Sequence, residues 1–73
     1  MMLNEQATTK SARRKRYLSQ MLRMDWSEIV TQFEGLTRYQ VKEKVDSRLG
    51  IAGTDREILK CRFYLMGEGF GYD

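Results

Sequence analysis

Histidine and proline are absent from this 73-residue chain, and cysteine occurs once, as Cys61. Without histidine the nucleophile–His pairings of most hydrolases cannot be built. One cysteine rules out an internal disulfide, and a Cys/His zinc site, which needs four ligands, is ruled out with it. No apolar stretch is long enough to span a membrane. The start Met1-Met2-Leu3-Asn4-Glu5 has no apolar h-region, so no secretory signal is expected. These absences point to a cytosolic protein that is not an enzyme, with no catalytic, cofactor-binding or metal-ligating residues expected.

What is present argues for folding. The chain is 41% hydrophobic, 32% charged and 11% aromatic, too aromatic for a disordered tail. Its length suits one small domain of roughly three helices. The charge is unevenly spread. Residues 1–23 carry Lys10, Arg13, Arg14, Lys15, Arg16 and Arg23 against Glu5 alone, whereas acids outnumber bases in residues 24–73. Such asymmetry predicts a flexible basic arm at 1–16, a helical domain at 17–66 and a flexible tail at 67–73.

Three helix starts stand in the body. Asp25-Trp26-Ser27-Glu28 reads as a capping box, with Met24 and Ile29 as its hydrophobic staple. Trp26, Ile29, Val30 and Phe33 then line one face, and Gly35 closes the helix. Thr37-Arg38-Tyr39-Gln40 opens a second helix with the stripe Val41, Val45 and Leu49, ended by Gly50 with Ile51 covering its last turn. Thr54-Asp55-Arg56-Glu57 opens a third through Ile58, Leu59, Cys61, Phe63, Leu65 and Met66, stopped by Gly67. Being apolar on most sides, this last helix is expected at the centre. A fourth helix is marked by Tyr17, Leu18, Met21 and Leu22. The cations Arg13–Arg16 would crowd its positive dipole end and fray its start. The fold class expected is therefore all-α, a small domain of three to four helices with a helix-turn-helix-like pair.

That pair, Trp26–Glu34 and Thr37–Leu49 joined at Gly35-Leu36, has suitable lengths for reading DNA. Glu34 and Thr31 fit the motif poorly, and Glu43 and Asp46 on the outward face would repel phosphate. Opposed to this stands an ordinary helical domain with a solvated second helix. The block Lys10–Arg16 could neutralise phosphates, with Tyr17 stacking on a base, or pair with carboxylates in a protein groove. The bland reading, given less weight, is a solvated tail that only helps solubility. The carboxylates are spread over helix caps and solvent faces, and Cys61 reads as a core filler. Gly67–Gly71 lacks the strand, the Lys-Ser/Thr and the following helix of a phosphate loop.

The stretch Lys10-Ser11-Ala12-Arg13-Arg14-Lys15-Arg16, the segment Met24-Asp25-Trp26-Ser27-Glu28-Ile29-Val30 and the end Gly67–Asp73 resemble the small RNA-polymerase-binding transcription regulators of lytic Xanthomonas phages. The resemblance covers the full chain. It implies a non-enzymatic regulator in the host bacterial cytoplasm. Such a protein binds host RNA polymerase near the amino-terminal part of the largest subunit, beside the RNA exit channel. It blocks initiation at host promoters and, assisted by the elongation factor NusA, lets polymerase read through intrinsic terminators. The alternative is a helix-turn-helix DNA-binding repressor.

No residue roles come with the resemblance. Charge and exposure alone nominate Lys10, Arg13, Arg14, Lys15, Arg16, Tyr17, Arg38, Tyr39 and Lys42 as partner-binding residues, with nascent RNA as a further contact. On this reading, replacing Arg13–Arg16 with Ala weakens partner binding and leaves the fold intact.

Overall fold

The computed structural model describes residues 9–72. Among them are four helices and no strand: α1 (Lys10–Leu22), α2 (Trp26–Phe33), α3 (Arg38–Leu49) and α4 (Asp55–Gly67). None is long and apolar enough to cross a membrane. The first eight residues of the expected arm lie outside the described residues.

The capping chemistry explains three of the starts. The Glu28 carboxylate accepts the Asp25 N–H at 3.0 Å, at the head of α2. At α3 the Thr37 hydroxyl accepts from the Gln40 N–H (3.2 Å) while the Gln40 side chain accepts from the Thr37 N–H (3.0 Å). Thr54 and Glu57 repeat the exchange at α4. The boxes at α3 and α4 each satisfy two amides that have no partner within the helix. The staple residues Met24 and Ile29 are both buried.

The start of α1 differs from the sequence expectation. The helix begins at Lys10 rather than Tyr17, so the basic stretch Lys10–Arg16 is helical and belongs to the domain. The Thr9 hydroxyl caps it by accepting the Ala12 N–H at 3.1 Å. This start leaves Arg14, Lys15 and Arg16 beyond the first turn, where the positive dipole end has faded. Two of the cations also find compensation elsewhere in the fold. Arg14 pairs with Glu68, and Lys15 lies over the Trp26 ring.

Helix α1 packs against α2, α3 and α4, and α4 packs against α1 and α3. The central helix is thus α1, not α4. Leu18 and Leu22 of α1 are buried with Ile29 and Phe33 of α2, Val41, Val45 and Leu49 of α3, and Cys61 and Leu65 of α4. The apolar positions of α4 exceed what two neighbours can cover, so Leu59 (58%) and Phe63 (77%) stay exposed as an i,i+4 ridge. Ile51, expected over the last turn of α3, is fully solvent-exposed. Helix α2 leans on α1 more than on α3, and the two helices of the expected helix-turn-helix pair meet where Lys44 Nζ lies 5.9 Å from the centroid of the Phe33 ring.

Two of the helices end in turns the sequence did not announce. Helix α4 runs through Gly67, and the left-handed residue that ends it is Gly69 (φ +99°). The Gly69 N–H reaches Met66 O and the Phe70 N–H reaches Leu65 O, both at 3.0 Å, which is the Schellman pattern. The turn drives Phe70 edge-on against Trp26 (centroids 5.8 Å) and Phe33 (6.3 Å). Gly71 follows with φ +77°; a Cβ there would meet Val41 Cγ2 at 3.3 Å, so the strap lies flush on α3. The expected flexible tail is therefore folded over the core from Glu68 to Gly71.

Helix α1 ends in the same way without a glycine. Arg23 has φ +57°, and Ser19 O accepts both the Arg23 and the Met24 N–H. A side chain in this region costs roughly 1–2 kcal/mol, against which glycine's extra freedom when unfolded must be set. Arg23→Gly is expected to raise stability by about 0.5–1 kcal/mol, read as a higher urea midpoint at unchanged m-value.

Candidate partner-binding surface

Contacts along α4 fix the layout of the surface. Arg14 meets Glu68 and Tyr17 meets Tyr64, so α1 and α4 are antiparallel. Arg62 faces Asp46, and a Cβ on Gly71 would lie 3.6 Å from Arg38 Cα, so α3 and α4 are antiparallel too. Helices α1 and α3 therefore run the same way. Their N-termini flank the strap at one end of the molecule and bring Lys10, Arg13 and Arg38 to it. This end collects the positive ends of two helix dipoles and three cations.

The nominated residues divide by how they are held. Lys10, Arg13, Arg16 and Arg38 are exposed, and among the described residues their side chains make no hydrogen bond or ion pair. Arg14 is different. Its Nε donates to Glu68 Oε2 at 2.7 Å, and the Ser11 hydroxyl donates to Glu68 Oε1 at 2.9 Å. The Glu68 side chain is only 8% exposed, so Arg14 is occupied inside the fold. Lys15 Nζ sits 5.3 Å from the centroid of the Trp26 ring. Lys42 pairs at 3.7 Å with Asp46, which also faces Arg62 at 3.5 Å. Of the block Arg13–Arg16, then, Arg13 and Arg16 alone are free to meet a partner.

Tyr17 is half-buried and packs edge-on against Tyr64 (5.2 Å), with Lys60 Nζ 4.8 Å above the Tyr17 ring. Burial, with smaller contributions from Cys61 and Glu57, pushes its hydroxyl above the ordinary value of 10.0. Its faces are committed within the protein, unlike the free stacking platform expected. Tyr39 is exposed, and the neighbouring Glu43 raises its hydroxyl in the same direction. Lys60 escaped the sequence reading; its place over two tyrosines depends on the α1–α4 register, which no local pattern reveals.

Cys61 is fully buried, and desolvation, aided by Glu57, pushes its thiol up from 9.0 to about 11. At pH 8 that leaves about 100-fold less thiolate than in the unfolded chain. A disulfide reagent should therefore modify the native protein at least about 100-fold more slowly than the urea-unfolded one. The folded state also holds the Cys61 proton where the unfolded state releases it. Stability is expected to fall as pH rises from about 9 to about 11. In Cys61→Ala the fall in urea midpoint across that window should be smaller.

Among the described residues no group of three His, Cys, Asp or Glu side chains is placed to hold a metal ion. No protein-family model, curated protein or solved structure matches the chain.

Proposed function

We propose that this chain is a phage-encoded transcription regulator that binds host bacterial RNA polymerase. It inhibits initiation at host promoters and promotes read-through of intrinsic terminators. The observation that carries this reading is the set of unpaired cations Lys10, Arg13 and Arg38, held on two helices at one end of the molecule, with Arg16 further along α1. Cations fixed on a helix meet an anionic partner at a smaller entropic cost than cations on a loose arm. A polymerase exit channel offers such partners as RNA phosphate and as acidic protein surface.

The body contact falls to the exposed ridge of Leu59 and Phe63, which Arg56 and Lys60 flank. An apolar ridge with a basic rim suits a polymerase surface of apolar centre and acidic margin. A body lodged there, with its cationic end toward the emerging transcript, would keep RNA from closing a terminator hairpin. Occupancy of the same region would compete with promoter contacts. The elongation factor NusA would assist the bound state.

The repressor reading has less support. On the outward face of α3 Lys42 is taken up by Asp46, and Glu43 adds a further negative charge. The test is direct. The purified protein, used as bait in nuclease-treated bacterial lysate, should recover the polymerase core subunits. It should also raise read-through at an intrinsic terminator in a purified system. Tight, sequence-selective duplex binding without polymerase recovery would favour the repressor.

A further inference from the structure

A second concentration of positive charge lies at the other end of the molecule, where α1 and α3 finish. An open cleft of about 840 Å³ runs between the ends of these helices, the end of α2 and the loop before α4. Its lining includes Leu22 and Leu49 and carries Arg23, Lys44 and Arg48 against one carboxylate, Glu57. That carboxylate accepts the Thr54 N–H at 2.9 Å, so its charge is shared with the cap of α4. We propose that this cleft is a binding site for single-stranded polynucleotide, whose phosphodiester groups are gripped by Arg23, Lys44 and Arg48.

Helix C-termini ordinarily repel anions, because their last carbonyls point outward. Here two of the last four carbonyls of each helix are engaged. Arg48 Nε donates to Leu22 O at 2.9 Å. Ser19 O takes the Arg23 and Met24 amides, Asp46 O takes the Gly50 amide and Leu49 O takes the Gly53 amide. The bond to Leu22 also fixes Arg48, so its guanidinium is oriented before any ligand arrives. Arg23 supplies the second argument. Its backbone adopts the left-handed conformation that glycine fills at lower cost. The arginine that stands there instead is exposed and unpaired at the lip of the cleft. Strain retained beside a concave, cationic surface points to a use for the side chain. The volume suits a few nucleotides rather than a duplex. No aromatic side chain lines the cleft, so the grip falls on phosphates, which carry no base identity.

This site goes beyond polymerase docking, and its test uses the isolated full-length protein. Isotope-labelled protein is titrated at low salt with a short oligouridylate, and separately with oligoglutamate of matched charge. The RNA is expected to shift the resonances of Arg23, Lys44 and Arg48. Three contacts predict a log–log salt slope of about −2. The double variant Arg23→Gly/Lys44→Gln should lose at least ~10-fold in affinity, with the slope falling to about −0.7. Relief of strain at position 23 works against misfolding of this variant, and its urea midpoint verifies the fold. Shifts confined to Lys10, Arg13 and Arg38, equal shifts with oligoglutamate, or unchanged affinity in the double variant would each overturn the proposal. None of these outcomes bears on whether polymerase is recovered from lysate.

Discussion

Replacing Phe70 with Ala is expected to remove about 2–3 kcal/mol of stability, a large share of what a domain this small possesses. The residue lies near the end of the chain, where substitutions are usually tolerated. Here the Schellman turn at Gly69 delivers its ring against Trp26 and Phe33, and Phe33 is fully buried. Truncation removes two edge-to-face contacts and opens a path for water to the Phe33 side of the core. Trp26 is the one tryptophan in the chain, so its emission reports the change without a label. In the variant its fluorescence maximum should shift to longer wavelength under native conditions, and the urea midpoint should fall at similar m-value. A midpoint unchanged from wild type would mean that the strap does not stay on the core in solution. Gly69→Ala should move stability in the same direction, because a methyl group is strained at φ +99° whatever space surrounds it.

The contrast between the strap and the helices shows which signals a sequence carries openly. The boxes at Asp25, Thr37 and Thr54 are each complete within four residues, so residue type and spacing suffice to find them. The stripe Val41, Val45 and Leu49 is likewise local, and all three residues are buried. The start of α1 was hidden because its stabilisation is not local. Arg14 is neutralised by a carboxylate 54 positions away, and Lys15 is drawn to the face of a ring on the next helix. Read alone, Arg13-Arg14-Lys15-Arg16 looks like repulsion at a helix end. Gly67 reads locally as the stop of α4, and the pairing of Glu68 with Arg14 and Ser11 accompanies a helix that continues past it. The exposure of Leu59 and Phe63 depends on how many neighbours α4 has, which periodicity does not specify. Of the candidate surface, the charge was legible; which cations are free and which are spent was not.

That division within the basic block gives the second large expected effect. The triple variant Lys10→Gln/Arg13→Gln/Arg16→Gln should keep the stability of the parent within about 0.5 kcal/mol, since all three side chains are exposed and unpaired. Its affinity for polymerase engaged on RNA should fall, and the log–log salt slope should shrink by about 2 if each cation meets one phosphate of a single strand. Arg14→Gln should behave in the opposite way. It leaves a carboxylate only 8% exposed without its cation, at a cost of about 1–3 kcal/mol. Adding Glu68→Gln should recover part of that loss, because the stranded charge is then gone and an amide can still accept from Ser11. A double-mutant cycle over Arg14 and Glu68 should thus show coupling of about 1 kcal/mol or more. Replacing Arg13–Arg16 together, which the sequence alone marks as harmless to the fold, mixes these two effects and should destabilise the protein as well as weaken it. If the triple variant unfolds as readily as Arg14→Gln, or if Arg14→Gln alone abolishes binding while its urea midpoint stays at the parent value, the assignment of roles within α1 is wrong.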